Sequence, residues 1–385
     1  MRVARLWLTD FRSYGELDMV LAPGLTVVIG ANGSGKTNLL EALAYLGSLR
    51  SFRQAPSDAL VRSGATRAVV RAEGWLDSRA VLIETEIVDG RRNRTLLNKQ
   101  SVRKLSDLSE VLRVTVFSPD DLVLVKGGPA ERRNYLDSLL EALHPRNCAL
   151  LADLDRILRQ RNAVLKQASG RLSDEVAFTL DVWDAKLASV GTAVADARAS
   201  LLGELSGPIA QAYADIADRS TTDRIHATYV SGWREFGLAG ALRVARTDDV
   251  RRATSTVGPH RDDVELLVEN RPSRTHTSQG EQRTLALALR LAGHRHLTDV
   301  LGEAPLLLLD DVFSELDPAR SASLLHHLPS GQVVLATAGH VPSAATIELT
   351  VRVERETTAH SGSFLTPPVD KPGESVEESA SGTLQ

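Results

Sequence analysis

Apolar and polar positions alternate with a period of two over residues 3–8 and 16–21, which predicts two strands at the start of the chain. The run Leu25-Thr26-Val27-Val28-Ile29 is continuous, apolar and partly β-branched, and reads as a buried strand. Residues 38–46 then carry Leu39, Leu40, Leu43 and Leu46 at helical spacing. Strand patterns return over residues 69–76, 81–88, 95–97 and 114–117, with a hairpin turn signalled by Asp89-Gly90.

The chain is next helical for a long way. Leu136, Leu139, Leu140 and Leu143 make one apolar face, and Leu150, Leu151, Leu154, Ile157 and Leu158 make another. After a turn at Gly170, the residues Val176, Leu180, Trp183, Leu187, Val190, Val194, Ala197 and Leu201 alternate spacings of four and three. That is a heptad seam, and it requires a partner. The preceding helix is the simplest one, giving a short antiparallel pair; a seam between two molecules is the other. Strand character reappears at residues 225–230 and 262–268. Pro305-Leu306-Leu307-Leu308-Leu309, ending in Asp310-Asp311, and residues 332–337 are unbroken apolar runs, as in a parallel sheet buried on both faces.

Between the first buried strand and the first helix lies Gly30-Ala31-Asn32-Gly33-Ser34-Gly35-Lys36-Thr37, which fits G-x-x-x-x-G-K-[ST] at every fixed position. Glycines let successive N–H groups turn inward around a polyphosphate, and the helix start adds partial positive charge. Lys36 is expected on the β- and γ-phosphates of ATP, and the Thr37 hydroxyl on Mg²⁺. Asp310 is the second metal-site carboxylate expected near such a loop. Asp311, beside it at a strand end, is placed to polarise the attacking water. Ser278-Gln279-Gly280-Glu281 sets a hydroxyl and a glycine N–H at a helix start, an anion-binding arrangement and also a capping box.

Composition narrows the class. The 385 residues are 43% hydrophobic and 24% charged, ordinary for a soluble protein, and allow two domains or one with a large insertion. No apolar run is long enough to span a bilayer, so the expected location is cytoplasmic. One cysteine, Cys148, excludes an internal disulfide. The net charge of −4 resides in residues 356–385, with five acids against one lysine, which read as a disordered tail. The remainder is neutral, so net charge lends no support to a basic face. Arg91, Arg92 and Arg94 at the hairpin tip suit DNA phosphates, although such a charge run is more often a solvated edge.

In the order phosphate loop, long insertion, S-x-G-E, aspartate strand and Ser314-Glu315-Leu316-Asp317, the chain resembles the ABC-type ATPase head, with the last stretch similar to its D-loop. Phe11-Arg12-Ser13-Tyr14 ahead of the phosphate loop resembles the chromosome-maintenance branch of these heads. Arg50-Ser51-Phe52-Arg53, the stretch Phe117-Ser118-Pro119-Asp120-Asp121-Leu122 continuing to Tyr135-Leu136-Asp137, and Val257-Gly258-Pro259-His260-Arg261-Asp262-Asp263 resemble the RecF family of bacterial recombination mediators. The resemblance covers about residues 1–355. It implies an α/β head with a mixed or parallel sheet (residues 1–128 and 221–355), an inserted mainly helical lobe (129–220), and a tail outside the match (356–385).

The resemblance also implies a cycle. Two ATP-bound copies form a homodimer in which Ser278 and Gly280 of one copy touch the γ-phosphate held by the other. The dimer loads on single-strand/duplex junctions at DNA gaps, and works with RecR and RecO to load RecA in recombinational repair, replication restart and SOS induction. By position, Arg12 is a second phosphate contact and Asp317 lines the nucleotide site. Glutamate usually holds the place of Asp311; the shorter aspartate implies slow turnover suited to a switch, and the resemblance implies that DNA stimulates it. The switch histidine has no clear counterpart, His340 lying two residues past its place, and Gln54 is the candidate for the glutamine loop. Other classes remain as alternatives: a structural DNA clamp of the same superfamily, a transporter's ATPase subunit, and a phosphate-loop nuclease. The transporter lacks the two RecF-like stretches, and the nuclease needs an acidic metal domain after the head.

Overall fold

Five strands form an all-parallel sheet in the order Leu349–Arg352, Leu25–Ile29, Val333–Thr337, Leu306–Asp310, Val114–Phe117. The computed structural model describes residues 1–354 apart from 92, 103–104, 218–223, 329 and 340–344. The two unbroken apolar runs occupy central strands because both faces are covered. Leu306, Leu308, Val334 and Ala336 pack into one hydrophobic cluster, and Leu307, Leu309, Val333 and Leu335 into another. Successive side chains of a strand point to opposite faces, so a sheet buried on both sides needs no polar positions.

The first cluster holds the helix Lys36–Ser48 through Leu39, Leu40, Leu43 and Leu46. Its other wall is a six-stranded antiparallel sheet, ordered Tyr14–Val20, Arg2–Phe11, Arg67–Leu76, Arg79–Val88, Arg94–Leu97, Gln100–Ser101. Leu6, Leu8, Val70 and Ile83 from this sheet close over the helix. On the sheet's outer face Arg5–Asp18, Arg67–Glu86 and Arg71–Glu84 pair across neighbouring strands. Those arginines are therefore neutralised in place.

The second cluster is built around the helix Gln279–Leu301 and the last half of the helix Asp174–Ala217. The latter has 44 residues, a span of about 66 Å at helical rise. Its seam is buried within one chain, against the antiparallel helix Pro145–Gln167. Leu187 and Val194 meet Leu151, Leu154 and Ile157, while Leu180 meets Leu165. Farther along, Leu201, Leu205 and Ile209 leave the lobe and enter the head's core. A third helix, Leu238–Arg252, shares the seam through Leu238, Leu242 and Val250. The lobe thus draws residues from beyond the 129–220 stretch. A three-stranded sheet, Arg271–Pro272, Asp263–Val268, Ile225–Val230, returns the chain from lobe to head.

Candidate nucleotide site

The phosphate loop follows the strand Leu25–Ile29 and opens the helix Lys36–Ser48. Gly35 stands at φ 105°, and a Cβ there would lie 2.8 Å from Ser13 Oγ. A Cβ on Gly30 would lie 2.4 Å from the carbonyl oxygen of Val353. Both positions exclude any side chain, which leaves the loop as a cradle of backbone N–H groups. Lys36 is buried, and its Nζ donates to the carbonyls of Gly30 at 2.7 Å and Ala31 at 2.9 Å. The ammonium therefore lies across the loop mouth. Asn32 and Gly33 are exposed at the rim, and the buried Ser34 hydroxyl has no hydrogen bond among the described residues.

The next residue joins the loop to the far end of the sequence. Thr37 Oγ1 donates to Asp310 Oδ1 at 3.0 Å. Asp310 is 6% exposed at the end of the strand Leu306–Asp310, and burial pushes its carboxyl up to about 6. The Thr37 hydrogen bond opposes that rise, the charge of Asp311 adds to it, and the charges of Arg53 and Lys36 oppose it. A threonine hydroxyl and a carboxylate are hard oxygen donors of the kind Mg²⁺ takes, so the donor set fits that ion. Asp311 is held at φ 48° by its N–H to the carbonyl of Ala336 at 2.9 Å, and its Oδ1 is buried without a hydrogen bond among the described residues. Its spare acceptor capacity suits it to take a proton from water.

Arg12 makes a bidentate pair with Glu41, Nε to Oε2 and Nη2 to Oε1, both at 2.8 Å, while Nη1 donates to the carbonyl of Ala59. Glu41 is fully buried on the phosphate-loop helix and also accepts from Ser51. Every guanidinium nitrogen of Arg12 is thus engaged, two of them with that helix through Glu41 and the third with the segment Ser57–Leu60. Ser278 caps the helix Gln279–Leu301 in a capping box, its hydroxyl and N–H both donating to Glu281 Oε2 at 2.9 Å. Asp317 caps the helix Pro318–His326 by accepting from the Arg320 N–H at 2.9 Å. Gln54 donates to Glu131 at 3.4 Å. Arg91 and Arg94 are exposed, whereas Arg92 and His340 lie outside the described residues. Sequence reasoning assigned no role to Arg53, whose charge acts on Asp310; its place in the Arg50–Arg53 stretch was the available signal.

The two long family-like stretches meet. Arg132 pairs bidentately with Asp263, at 2.8 and 3.0 Å, and Arg133 donates to the carbonyl of Asp262 at 2.7 Å. Asp137 pairs with Arg198 of the long helix, which also donates to the carbonyl of Pro259. Asp121 accepts from Arg290 of the helix that Ser278 caps. Beside this network a cleft of about 1380 Å³ separates the Arg50–Gln54 loop from the lobe, and Arg133, Arg146, Arg159 and His260 line it. Burial pushes the Arg133 guanidinium down, helped by Arg198, and pushes His260 down to about 4.

The RecF/RecN/SMC N terminal domain family matches residues 2–356. The DNA replication and repair protein RecF of Kineococcus radiotolerans is 42% identical over 381 residues, covering 92% of this chain and 97% of that protein. The chain belongs to the RecF family. RecF of Acidothermus cellulolyticus is 41% identical over 347 residues, covering 88% and 93%. Among solved structures, the recombination mediator protein RecF-ATP in the RecFOR pathway superposes with a TM-score of 0.83 at 26% identity, covering 92% of this chain and 96% of that one. An Smc head bound to the C-winged helix domain of ScpA has a TM-score of 0.54 at 18% identity and shares the fold. The α/β head read from the motif order is therefore the fold of this RecF-family chain. Among the described residues no helix is long and apolar enough to cross a membrane.

Proposed function

We propose that this RecF-family chain is a DNA-binding ATPase that mediates recombinational repair as an ATP-bound dimer. The hydrogen bond between Thr37 and Asp310 carries the reading, because it joins a phosphate cradle to a carboxylate at one point. In this reading the N–H groups of residues 30–37 hold the ATP phosphates, and Lys36 turns from its two carbonyls onto the β- and γ-oxygens. Thr37 and Asp310 would hold Mg²⁺, which would supply neutralisation of the charge building on the phosphates. Asp311 orients water toward the γ-phosphorus and takes its proton as the bond to the β–γ bridging oxygen breaks. Its short side chain suits slow turnover.

The second copy supplies Ser278 and Gly280 to the γ-phosphate, with Asp317 nearby. Arg12 fixes the phosphate-loop helix through Glu41, a positioning role beside the direct phosphate contact expected of it. The solved RecF-ATP structure and the RecFOR pathway named with it support ATP as ligand and RecO and RecR as partners. In this reading RecA loading, replication restart and SOS induction lie downstream. DNA at single-strand/duplex junctions is the substrate surface, with Arg91, Arg92 and Arg94 as contacts. The head (1–128 and 221–355), the helical insertion (129–220) and the tail (356–385) are the working divisions, in a cytoplasmic, nucleoid-associated protein.

Sedimentation with and without ATP, Mg²⁺ and a gapped duplex tests dimerisation and DNA binding together. The expected result is a monomer without ATP and a DNA-retained dimer with it. If Lys36→Arg dimerises and retains DNA as the parent does, the reading is wrong.

A further inference from the structure

Arg320 lies where the S-x-G-E stretch Ser278-Gln279-Gly280-Glu281, the signature stretch of such heads, meets the D-loop ending at Asp317. It is in the first turn of the helix Pro318–His326, and its Nε is 3.4 Å from Asp317 Oδ2. Its Nη1 is 2.9 Å from the point a Cβ on Gly280 would occupy. The guanidinium therefore rests against the backbone of the signature stretch while its stem belongs to the D-loop helix. Glycine at position 280 leaves room for it.

The electrostatics of that spot call for a cation. The helix Gln279–Leu301 has 23 residues and a helix start attracts anions, but the Glu281 carboxylate sits on this one, holding the Ser278 hydroxyl and N–H. A phosphate arriving there meets a negative charge. Arg320 supplies the compensating positive one within reach of Gly280. Its pair with Asp317 is long, and the two side chains are 31% and 52% exposed, so the pair is weak and easily exchanged. A guanidinium binds two phosphate oxygens in one plane more strongly than it binds a solvated carboxylate at 3.4 Å.

We propose that Arg320 is the group through which the signature stretch detects the terminal phosphate of ATP held by a second copy of this chain. On dimer closure its guanidinium leaves Asp317 and pairs with γ-phosphate oxygens, which also frees Asp317 to move with the D-loop. ADP lacks those oxygens and leaves Arg320 on Asp317. This inference rests on the composite-site reading above and adds to it the residue that distinguishes ATP from ADP.

The test uses the full chain with Arg320→Gln and Arg320→Lys. Sedimentation equilibrium gives the dimer dissociation constant in Mg²⁺ with ATP or ADP, fluorescent ADP reports the phosphate loop of the same chain, and thermal melting reports folding. Arg320→Gln is expected to weaken the ATP-bound dimer by at least about tenfold, to the value seen with ADP, with ADP affinity and melting unchanged. Arg320→Lys is expected to recover part of the loss. Should the parent dimerise with ATP and Arg320→Gln dimerise equally well, this inference falls and the composite site stands. An equal weakening with ATP and ADP, or a lowered melting temperature, makes Arg320 structural and overturns it. A parent chain that stays monomeric in ATP sinks both readings.

Discussion

Thr37 and Asp310 are 273 residues apart in sequence and share a hydrogen bond of 3.0 Å. One is in the first turn of a helix, the other at the end of a buried strand, and the sheet order brings them together. The strand Val333–Thr337 lies between their two strands, so the parallel sheet itself sets their separation. Two oxygen donors held by the framework need little rearrangement to take a hard cation.

Removing either donor should separate nucleotide binding from metal binding. Thr37→Ala and Asp310→Asn are each expected to weaken ATP binding in Mg²⁺ by roughly tenfold or more, a loss at the lower end of that seen for outer-shell partners of metal sites. Binding of ADP in EDTA should change little, because the loop N–H groups remain. Calorimetric titration in both buffers checks this. Equal losses with and without Mg²⁺ would show that the pair shapes the loop and does not hold the ion.

Gly35→Ala places a Cβ at φ 105°, 2.8 Å from Ser13 Oγ and 3.1 Å from Tyr14 Oη. That backbone angle costs an L-residue about 1–3 kcal/mol, and the collision adds to it. The loop is expected to lose nucleotide affinity by about tenfold or more. Gly90→Ala, at a turn with φ 66° and no atom near its Cβ, serves as the comparison and should leave binding unchanged. Fluorescent ATP titration of the two variants distinguishes site strain from general destabilisation.

Arg161 is fully buried in the lobe and bonded to Asp184, Asp249 and Ser255. Asp249→Ala leaves a buried cation short of a partner and is expected to cost about 3–5 kcal/mol. Asp153→Ala breaks the exposed pair with Arg156 and is expected to cost under about 1 kcal/mol. Urea unfolding followed by Trp183 and Trp233 fluorescence measures both. Similar midpoints for the two variants would mean that water reaches Arg161.

What the sequence made legible follows from how local each signal is. Glycine spacing, the four leucines before Asp310 and the heptad seam are contiguous, and the strands, helix and antiparallel pair they predict are present. The helix Leu238–Arg252 escaped because it buries little beyond Leu238, Leu242 and Val250, too few for a periodic stripe. The strand Leu349–Arg352 escaped because it is an edge strand in partly exposed alternation. At the site, identities were readable but pairings were not. Nothing local in Arg12 announces that Glu41 takes its guanidinium, or in Arg132 that Asp263 takes its own. Such contacts depend on tertiary packing, which no window of sequence contains.

His294 supplies the last prediction. It is 1% exposed on the helix Gln279–Leu301, its Nδ1 has no hydrogen bond among the described residues, and burial, helped by the charge of Arg295, pushes it down from 6.5 to about 4. A histidine with a depressed pKa is neutral in the folded state while the unfolded chain still binds the proton. Its favourable contribution is therefore complete above pH 6.5 and is lost as pH falls toward 4. Between pH 7.5 and pH 5 the loss amounts to about 2 kcal/mol. His294→Leu removes the titrating group and keeps an apolar side chain of similar size, so its stability should fall less over the same interval, by about that difference. His260 titrates in the same direction in both proteins and cancels in the comparison. Urea midpoints at the two pH values give the answer: parallel slopes would mean that His294 is charged inside the folded protein, with a counter-charge drawn to it.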